Sequence, residues 1–246
     1  LAISDGKLSL EDKLTDFFPE AVPENAQPER FEIRLHHLLT MSSGFHEAYL
    51  MGADRRSGIG FPDYVKYMLS RPVKVQPGSE FLYSTADSIL AGRMVEKAVG
   101  KQLSEYLYER FFAPLGQGFP IWENCPQGHP IGGGGMFMTL SDMLKIGQVY
   151  LMDGKWKGQQ LVDPAWVKEA TAKQIETPNP GNDIWVCGYG YQFWRNPYED
   201  SYRADGAYGQ LTMVLPKKGL IVAVQCPESG DFSKVKQLMH ELILSL

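Results

Sequence analysis

The chain has 246 residues, of which 43% are hydrophobic and 22% charged, with a formal net charge of −5. This length suits one large domain or two small ones and allows a sizeable buried core. The dispersed, slightly acidic charge argues against a nucleic-acid-binding protein, and no run approaches the ~18 apolar residues of a membrane span.

The first third of the sequence predicts short helices separated by turns. Leu1 to Ile3 would be the tail of a helix that the Asp5-Gly6 turn ends. Leucines with helical spacing predict a helix from Leu35 that stops near Ser43-Gly44. A further helix is expected from Pro62 up to the stop at Arg71-Pro72.

The stretch from Gln76 to Gly100 contains the residue of greatest chemical interest. Its apolar positions from Ala86 onward keep to one helical stripe, and Gly100 supplies a left-handed stop. Tyr83 therefore lies at a helix N-terminus, where unpaired N–H groups and the helix dipole favour negative charge. A phenol there should lose its proton more easily and could act as a general base. Taken alone, the residue fits a tyrosine packed on a loop better than a catalytic base.

The middle of the chain continues with helices and one glycine run. Helices are expected over 103–111, after Thr139, which forms a capping box with Asp142, and after Asp163-Pro164. The run Gly132 to Gly135 lacks the Gly-Lys-Ser/Thr ending of a phosphate-binding loop. It predicts close backbone packing or a flexible pocket wall instead.

The last quarter changes to a period of two, which is typical of strands. Asp205-Gly206 and Lys217-Lys218-Gly219 have the composition of turns between strands, and a helix closes the chain. The fold class is therefore α+β, with the helices segregated from an antiparallel sheet. The expected strands are Tyr189–Trp194, Tyr202–Ala204, Gln210–Leu215 and Leu220–Gln225.

Five stretches occur in the order known from one enzyme family. They are Asp5–Lys13 with Phe18-Pro19, Leu38–Phe45, Pro77–Ser84, Phe112–Gly116 and Tyr202–Pro216. Together they resemble the class C β-lactamase and penicillin-binding serine hydrolase family across nearly the whole chain. The resemblance implies a β-lactamase/transpeptidase-like fold, in which helices flank an antiparallel sheet and a helical subdomain is inserted. It implies one domain over 1–246, helical over roughly 35–175, with the sheet and closing helix over roughly 185–246.

The resemblance also implies acyl transfer through a serine acyl-enzyme. Carried over by motif, Tyr83 would be the base that activates the serine, and Thr85 stands where the family has asparagine. Ala204-Asp205-Gly206 matches the third motif, and the backbone N–H of Ala207 would form half of an oxyanion hole. Asp205-Gly206 is equally compatible with a plain hairpin turn.

Substrate preference follows from the same motif. Ala204 brings no positive charge and Asp205 brings a negative one, which favours neutral or cationic esters and amides over carboxylate-bearing antibiotics. His46 lies near the expected cleft and is a candidate substrate contact, as is Tyr208. The five histidines show no metal-ligand spacing, so neither a metal nor another cofactor is expected.

The family's nucleophile motif, Ser-x-x-Lys, is expected just before Leu1, so the sequence reads as an N-terminally truncated chain that does not acylate by itself. Two such strings occur within it. Ser4 to Lys7 contains the helix-breaking Asp5-Gly6, and Ser233 to Lys236 opens the closing helix, so both are interpreted as chance. A non-catalytic homologue that serves as a binding or scaffolding module remains the alternative.

The strand Leu220–Gln225 would lose its neighbours in such a truncated chain. It contains no charge or proline that would discourage pairing along its edge. We therefore expect either self-pairing of two chains or binding of a separate N-terminal segment along 220–225. Three cysteines without disulfide or metal spacing, at 125, 187 and 226, are interpreted as buried thiols and slightly favour a cytoplasmic location.

Overall fold

The computed structural model describes residues 1–207, 209–226 and 233–245. The chain divides into two compact units. The first comprises Leu1–Phe137 and Gln174–Pro178, and the second Met138–Lys173 and Asn179–Leu246.

The first unit is helical and contains one short hairpin. A π-helical turn, Tyr108–Phe112, continues its last helix. Its elements are α1 (Leu14–Phe17), α2 (Leu35–Leu39), α3 (Gly52–Ser57), α4 (Tyr64–Leu69), α5 (Thr85–Val99), α6 (Leu103–Leu107), β1 (Ile121–Trp122) and β2 (Met136–Phe137).

Helix α5 is the centre of this unit, as its sequence predicted. The helices α1, α2, α4 and α6 all contact it. Ile89, Leu90 and Met94 on its apolar stripe are almost completely buried, and each such side chain contributes about 1.5–3 kcal/mol to folding. Gly100 ends the helix with φ +68°, the left-handed conformation that glycine adopts without strain.

The glycine run packs tightly against the first turns of α5, as one of the two sequence interpretations proposed. A Cβ atom on Gly133 would lie 2.9 Å from Thr85 Cγ2 and 3.0 Å from Ser88 Cβ. A side chain at this position would therefore push the 132–135 segment away from the helix.

The second unit packs helices around a four-stranded antiparallel sheet of order β5-β6-β7-β8. A small separate hairpin joins β3 to β4. Its elements are α7 (Leu140–Leu151), β3 (Lys155–Trp156), β4 (Gln159–Gln160), α8 (Pro164–Thr171), β5 (Trp194–Arg195), β6 (Tyr202–Gly206), β7 (Gln210–Leu215), β8 (Leu220–Val224) and α9 (Ser233–Ser245).

Both faces of this sheet are covered. Leu211 and Met213 of β7 pack in one cluster with Met239 and Ile243 of α9. On the other face Gly147 of α7 lies so close to β8 that an added Cβ would be 2.8 Å from Ile221 Cγ2. The sheet thus has the helix–sheet–helix packing expected for an α+β fold.

Two strand predictions need correction. Asp205 and Gly206 are not a hairpin turn, since both lie in β6 and pair with Leu211 and Gln210. The chain reverses only after Gly206, because the pairing of β6 with β7 continues to the pair Gly206–Gln210. The expected strand Tyr189–Trp194 is reduced to β5, because only its end pairs with β6.

The terminal strand β8 pairs with β7 and with no other strand among the described residues. A free strand edge of this kind is a template for further pairing. Whether another copy or a separate segment occupies it stays a prediction.

Of the three cysteines, Cys125 is buried as expected, whereas Cys187 and Cys226 are partly exposed. Across the described residues, no helix combines the length and apolarity needed to cross a bilayer. The same part of the chain shows no cluster of three or more His, Cys, Asp or Glu side chains suited to a metal ion.

The glycine run offers a matched test of packing. We expect Gly133→Ala to lower the free energy of unfolding by about 1–3 kcal/mol, because its methyl group would overlap α5. Gly134→Ala is the control, since an added Cβ there meets no atom within 4 Å. Urea unfolding of both variants measures the difference, and equal stability would contradict the packing described.

Candidate active site

Tyr83 lies directly before α5 and is 37% exposed. The next residue, Ser84, is the N-cap of the helix, but its side chain makes no capping hydrogen bond. The Ala86 N–H of the first turn is bonded instead to the Tyr49 carbonyl. Tyr83 lies one residue before the N-cap of this 15-residue helix, at its positive end, as the sequence predicted.

A loop after α2 fixes the segment that leads to Tyr83. The Leu82 N–H donates to Met41 O (2.8 Å) and the Gly78 N–H donates to Ser42 O (2.8 Å). Gly44 ends this loop with φ +84°, and a Cβ on it would lie 2.4 Å from Val75 O. Only glycine fits this close approach of two backbones.

A second loop holds the other side of Tyr83. Ser84 Oγ accepts the Tyr49 N–H (3.2 Å) and donates to Tyr49 O (3.3 Å). The Ala86 N–H also donates to Tyr49 O, at 3.2 Å. The residues on both sides of Tyr83 are thus tied to a different loop each, which restricts where the phenol can go.

Both loops contain a large apolar residue with left-handed backbone. Met41 and Leu50 each have φ +56°, and each is only 1% exposed. This conformation is unfavourable for residues with bulky side chains. Such strain costs on the order of 1–3 kcal/mol and tends to occur at functional sites, where the surrounding structure enforces it.

Thr85, the predicted substrate contact, is buried at the first position of α5. Its hydroxyl donates to the Met51 sulfur at 3.3 Å. His46, the other predicted contact in this unit, is exposed, with its ring 3.7 Å from the Glu47 carboxylate. The role of both residues toward a substrate stays a prediction.

Sequence analysis missed one buried acid next to Tyr83. Asp87 is completely buried in the first turn of α5 and accepts a hydrogen bond from Ser43 Oγ at 2.7 Å. Among the described residues, its Oδ2 has no hydrogen-bond partner. Burial raises the pKa of this carboxyl to about 7, against the lowering effect of the Ser43 hydrogen bonds. The signal was present, because Asp87 shares the helical stripe of Leu90 and Met94.

The third-motif residues belong to the second unit. Ala204 is exposed, whereas Asp205 and Gly206 are half-buried in β6. Ala207 follows the strand and is exposed, as an oxyanion donor would need to be. Tyr208 lies outside the described residues.

The charge of Asp205 is offset, which the sequence analysis did not foresee. Arg203 Nε donates to Asp205 Oδ2 at 2.9 Å, and Lys236 Nζ lies 3.7 Å from the same oxygen. Arg203 is itself buried, with its guanidinium 5.7 Å from the ring of Trp185 and 5.6 Å from that of Trp194. The carboxylate therefore does not leave the motif negatively charged.

The comparisons with known proteins agree with this fold. The sequence model of the Beta-lactamase family matches residues 1–238. A putative β-lactamase from Bacteroides dorei superposes with a TM-score of 0.75 at 22% identity, over 97% of this chain and 80% of that one. A putative 6-aminohexanoate-dimer hydrolase from Bacillus anthracis superposes with a TM-score of 0.79 at 17% identity, over 99% of this chain and 67% of that one. These likenesses show a β-lactamase/transpeptidase-like fold, and the chain belongs to the Beta-lactamase family.

Among characterised proteins, the chain is similar to esterase EstB of Burkholderia gladioli. The two are 27% identical over 87% of this chain and 72% of EstB. A putative D-alanyl-D-alanine carboxypeptidase of Escherichia coli strain K12 is 29% identical over 46% of this chain. The chain spans only 28% of that protein's length.

The buried acid predicts an unusual pH dependence of stability. A folded-state pKa of about 7, against 3.8 as the ordinary value, means that folding binds a proton between these two pH values. The contribution of Asp87 to stability should therefore fall as pH rises from about 4 to 7, by at most about 1.4 kcal/mol per pH unit. Asp87→Asn should remove this slope.

Urea unfolding of wild type and Asp87→Asn between pH 5 and 8 measures this pH dependence of the free energy of unfolding. Asp142→Asn is the matched control, because Asp142 occupies the same position in the first turn of α7 and its pKa is lowered by the Thr139 hydroxyl. Parallel curves for wild type and Asp87→Asn would contradict the prediction.

Proposed function

We propose that this protein is a serine hydrolase that transfers acyl groups from esters or amides to water, with Tyr83 as its general base. The observation that carries the proposal is the position of Tyr83. Tyr83 precedes the N-cap of α5 by one residue, and Leu82 and Ala86 on its two sides are held by backbone hydrogen bonds. The proposal assigns no serine among residues 1–246 as the nucleophile.

The chemistry divides into two acyl-transfer steps. In the first, the phenolate of Tyr83 takes the proton of the serine hydroxyl while the serine oxygen attacks the substrate carbonyl. The intermediate collapses to an acyl-enzyme, and Tyr83 returns the proton to the leaving alcohol or amine. In the second, Tyr83 takes a proton from water, which attacks the acyl-enzyme; the bond to the serine oxygen breaks, the acid leaves, and Tyr83 returns the proton to the serine oxygen.

Two features of the protein support these steps. The dipole of α5 favours negative charge on a group at its N-terminus, which helps the phenol serve as a base. The backbone N–H of Ala207 is proposed to hold the oxyanion, because it follows the strand that matches the family's third motif. Asp205, Gly206 and Ala204 would then border the substrate.

Esters are the favoured substrate class. Esterase EstB, which the chain matches over 72% of that protein's length, carries this activity in its name. Ala204 stands where the third motif has a positively charged residue or histidine, so this position offers no cation for a substrate carboxylate. The offset charge of Asp205 is compatible with a neutral substrate.

Tyr83→Phe tests the mechanism in the protein expressed from its complete natural reading frame. We expect turnover of a p-nitrophenyl ester to fall on the order of 10²–10⁴-fold, because the base is lost. Stability should change little, since Tyr83 is partly exposed. Tyr108→Phe is the control, as it removes a hydroxyl on the π-helical turn after α6. Wild-type-like turnover in Tyr83→Phe would remove Tyr83 from the mechanism and favour a non-catalytic binding module.

Substrate preference is a separate test. The wild-type protein should hydrolyse small esters faster than cephalosporins, whose carboxylate meets no charged side chain from Ala204. Asp205→Asn leaves Arg203 and Lys236 without their carboxylate and should lower KM for cephalosporins more than for esters. Asp200→Asn, at an exposed ion pair with Lys217, is the control. Faster cephalosporin than ester turnover by wild type would overturn this assignment.

A further inference from the structure

The loop Met41–Gly44, called here the anchoring loop, contacts two parts of the chain around Tyr83. Three of its carbonyls accept N–H groups from the segment before Tyr83, those of Leu82, Gly78 and Lys74. These bonds fix the chain segment that leads to Tyr83. They do not by themselves attach the anchoring loop to α5, the helix that follows Tyr83.

The hydrogen bond from Ser43 Oγ to Asp87 Oδ1 supplies that connection. It is 2.7 Å long and joins the middle of the anchoring loop to the first turn of α5. Both partners are buried, at 4% and 0% exposure, so water does not compete for the bond. Tyr83 lies in the chain between the two residues that the anchoring loop holds, one residue after Leu82 and four before Asp87.

The tie also acts on a strained backbone. Met41, whose carbonyl accepts the Leu82 N–H, has φ +56° and persists in that conformation only while the surroundings enforce it. Ser43 is two residues away and is the member of the loop that α5 holds through a side chain. Releasing Ser43 would let Met41 relax and carry the Leu82 amide with it.

A carboxyl at this position is costly unless it has a purpose, because it is fully buried and no cation contributes to its environment. Alanine or serine would complete the first turn of α5 without that cost. The single hydrogen bond from Ser43 Oγ to Asp87 Oδ1 gives the loop a defined distance from the helix.

We propose that Asp87 is a positioning residue that sets the place of Tyr83 by holding Ser43 of the anchoring loop. The proposal rests on the proposed function in so far as Tyr83 is the base. The positional claim itself concerns the Leu82 amide and can be measured without catalysis.

The experiment compares four single variants and one double variant of the complete protein. Ser43→Ala removes the donor and Asp87→Ala removes the acceptor, and the double variant removes both. Ser42→Ala is the control for the serine, because the Ser42 hydroxyl bonds to Thr40 and His37 and not to α5. Asp142→Ala is the control for loss of a carboxyl from the first turn of a helix.

Two readouts are taken for each protein, the hydrogen-exchange rate of the Leu82 amide and the separate values of kcat and KM for a p-nitrophenyl ester. We expect Ser43→Ala and Asp87→Ala to speed Leu82 exchange roughly tenfold or more, and to lower kcat on the order of tenfold with KM nearly unchanged, because misplacing a reacting group lowers the rate of the bound complex. The double variant should be no worse than the more affected single variant, since the two residues act as one unit. The controls should match wild type.

Unchanged Leu82 exchange in Ser43→Ala would overturn the proposal, and so would additive losses in the double variant. Ser43→Ala decides the matter if Asp87→Ala does not fold, because it removes only a hydroxyl. If Leu82 exchange is faster in Ser43→Ala but Tyr83→Phe keeps full turnover, the positional claim stands and the proposed function is refuted. If Leu82 exchange is unchanged in Ser43→Ala but Tyr83→Phe loses turnover, the proposed function stands and the positional claim is refuted.

Discussion

The N-terminus of α5 is the constraint on which the first unit depends. A buried helix must satisfy its first N–H groups, yet the side chain of its N-cap Ser84 is used by Tyr49 instead. The Tyr49 carbonyl accepts the Ala86 N–H of the first turn, while the anchoring loop holds the segment before Tyr83. Each of the two loops contains a left-handed apolar residue, Leu50 and Met41 respectively, which is the cost of this arrangement. A tyrosine placed at this junction is held from both sides and remains partly accessible.

The second unit applies a different solution to a similar demand. One face of strand β6 carries two charged side chains that are wholly or partly buried, so their charges have to be neutralised. Asp205 pairs there with Arg203 and lies near Lys236. The guanidinium of Arg203 also contacts the rings of two tryptophans. The neighbouring Ala204 faces the other way and is exposed, because successive strand residues alternate.

Family membership and chemical assignment stand on different ground. The match over residues 1–238 establishes the family and its fold. The roles of Tyr83 and Ala207 rest on motif position and on the local geometry of each unit taken separately.

The sequence by itself determined the order of elements, the stripe of α5, its stop at Gly100 and the strands β7 and β8, because these follow from local periodicity and glycine chemistry. It also placed Tyr83 before the helix. Only the tertiary structure decided that Asp205 and Gly206 extend β6, since strand pairing with β7 overrode their turn propensity. The pairing of Asp87 with Ser43 and of Asp205 with Arg203 and Lys236 was likewise decided in space. Such contacts join residues far apart in the chain, and no local pattern encodes which polar groups burial will bring together.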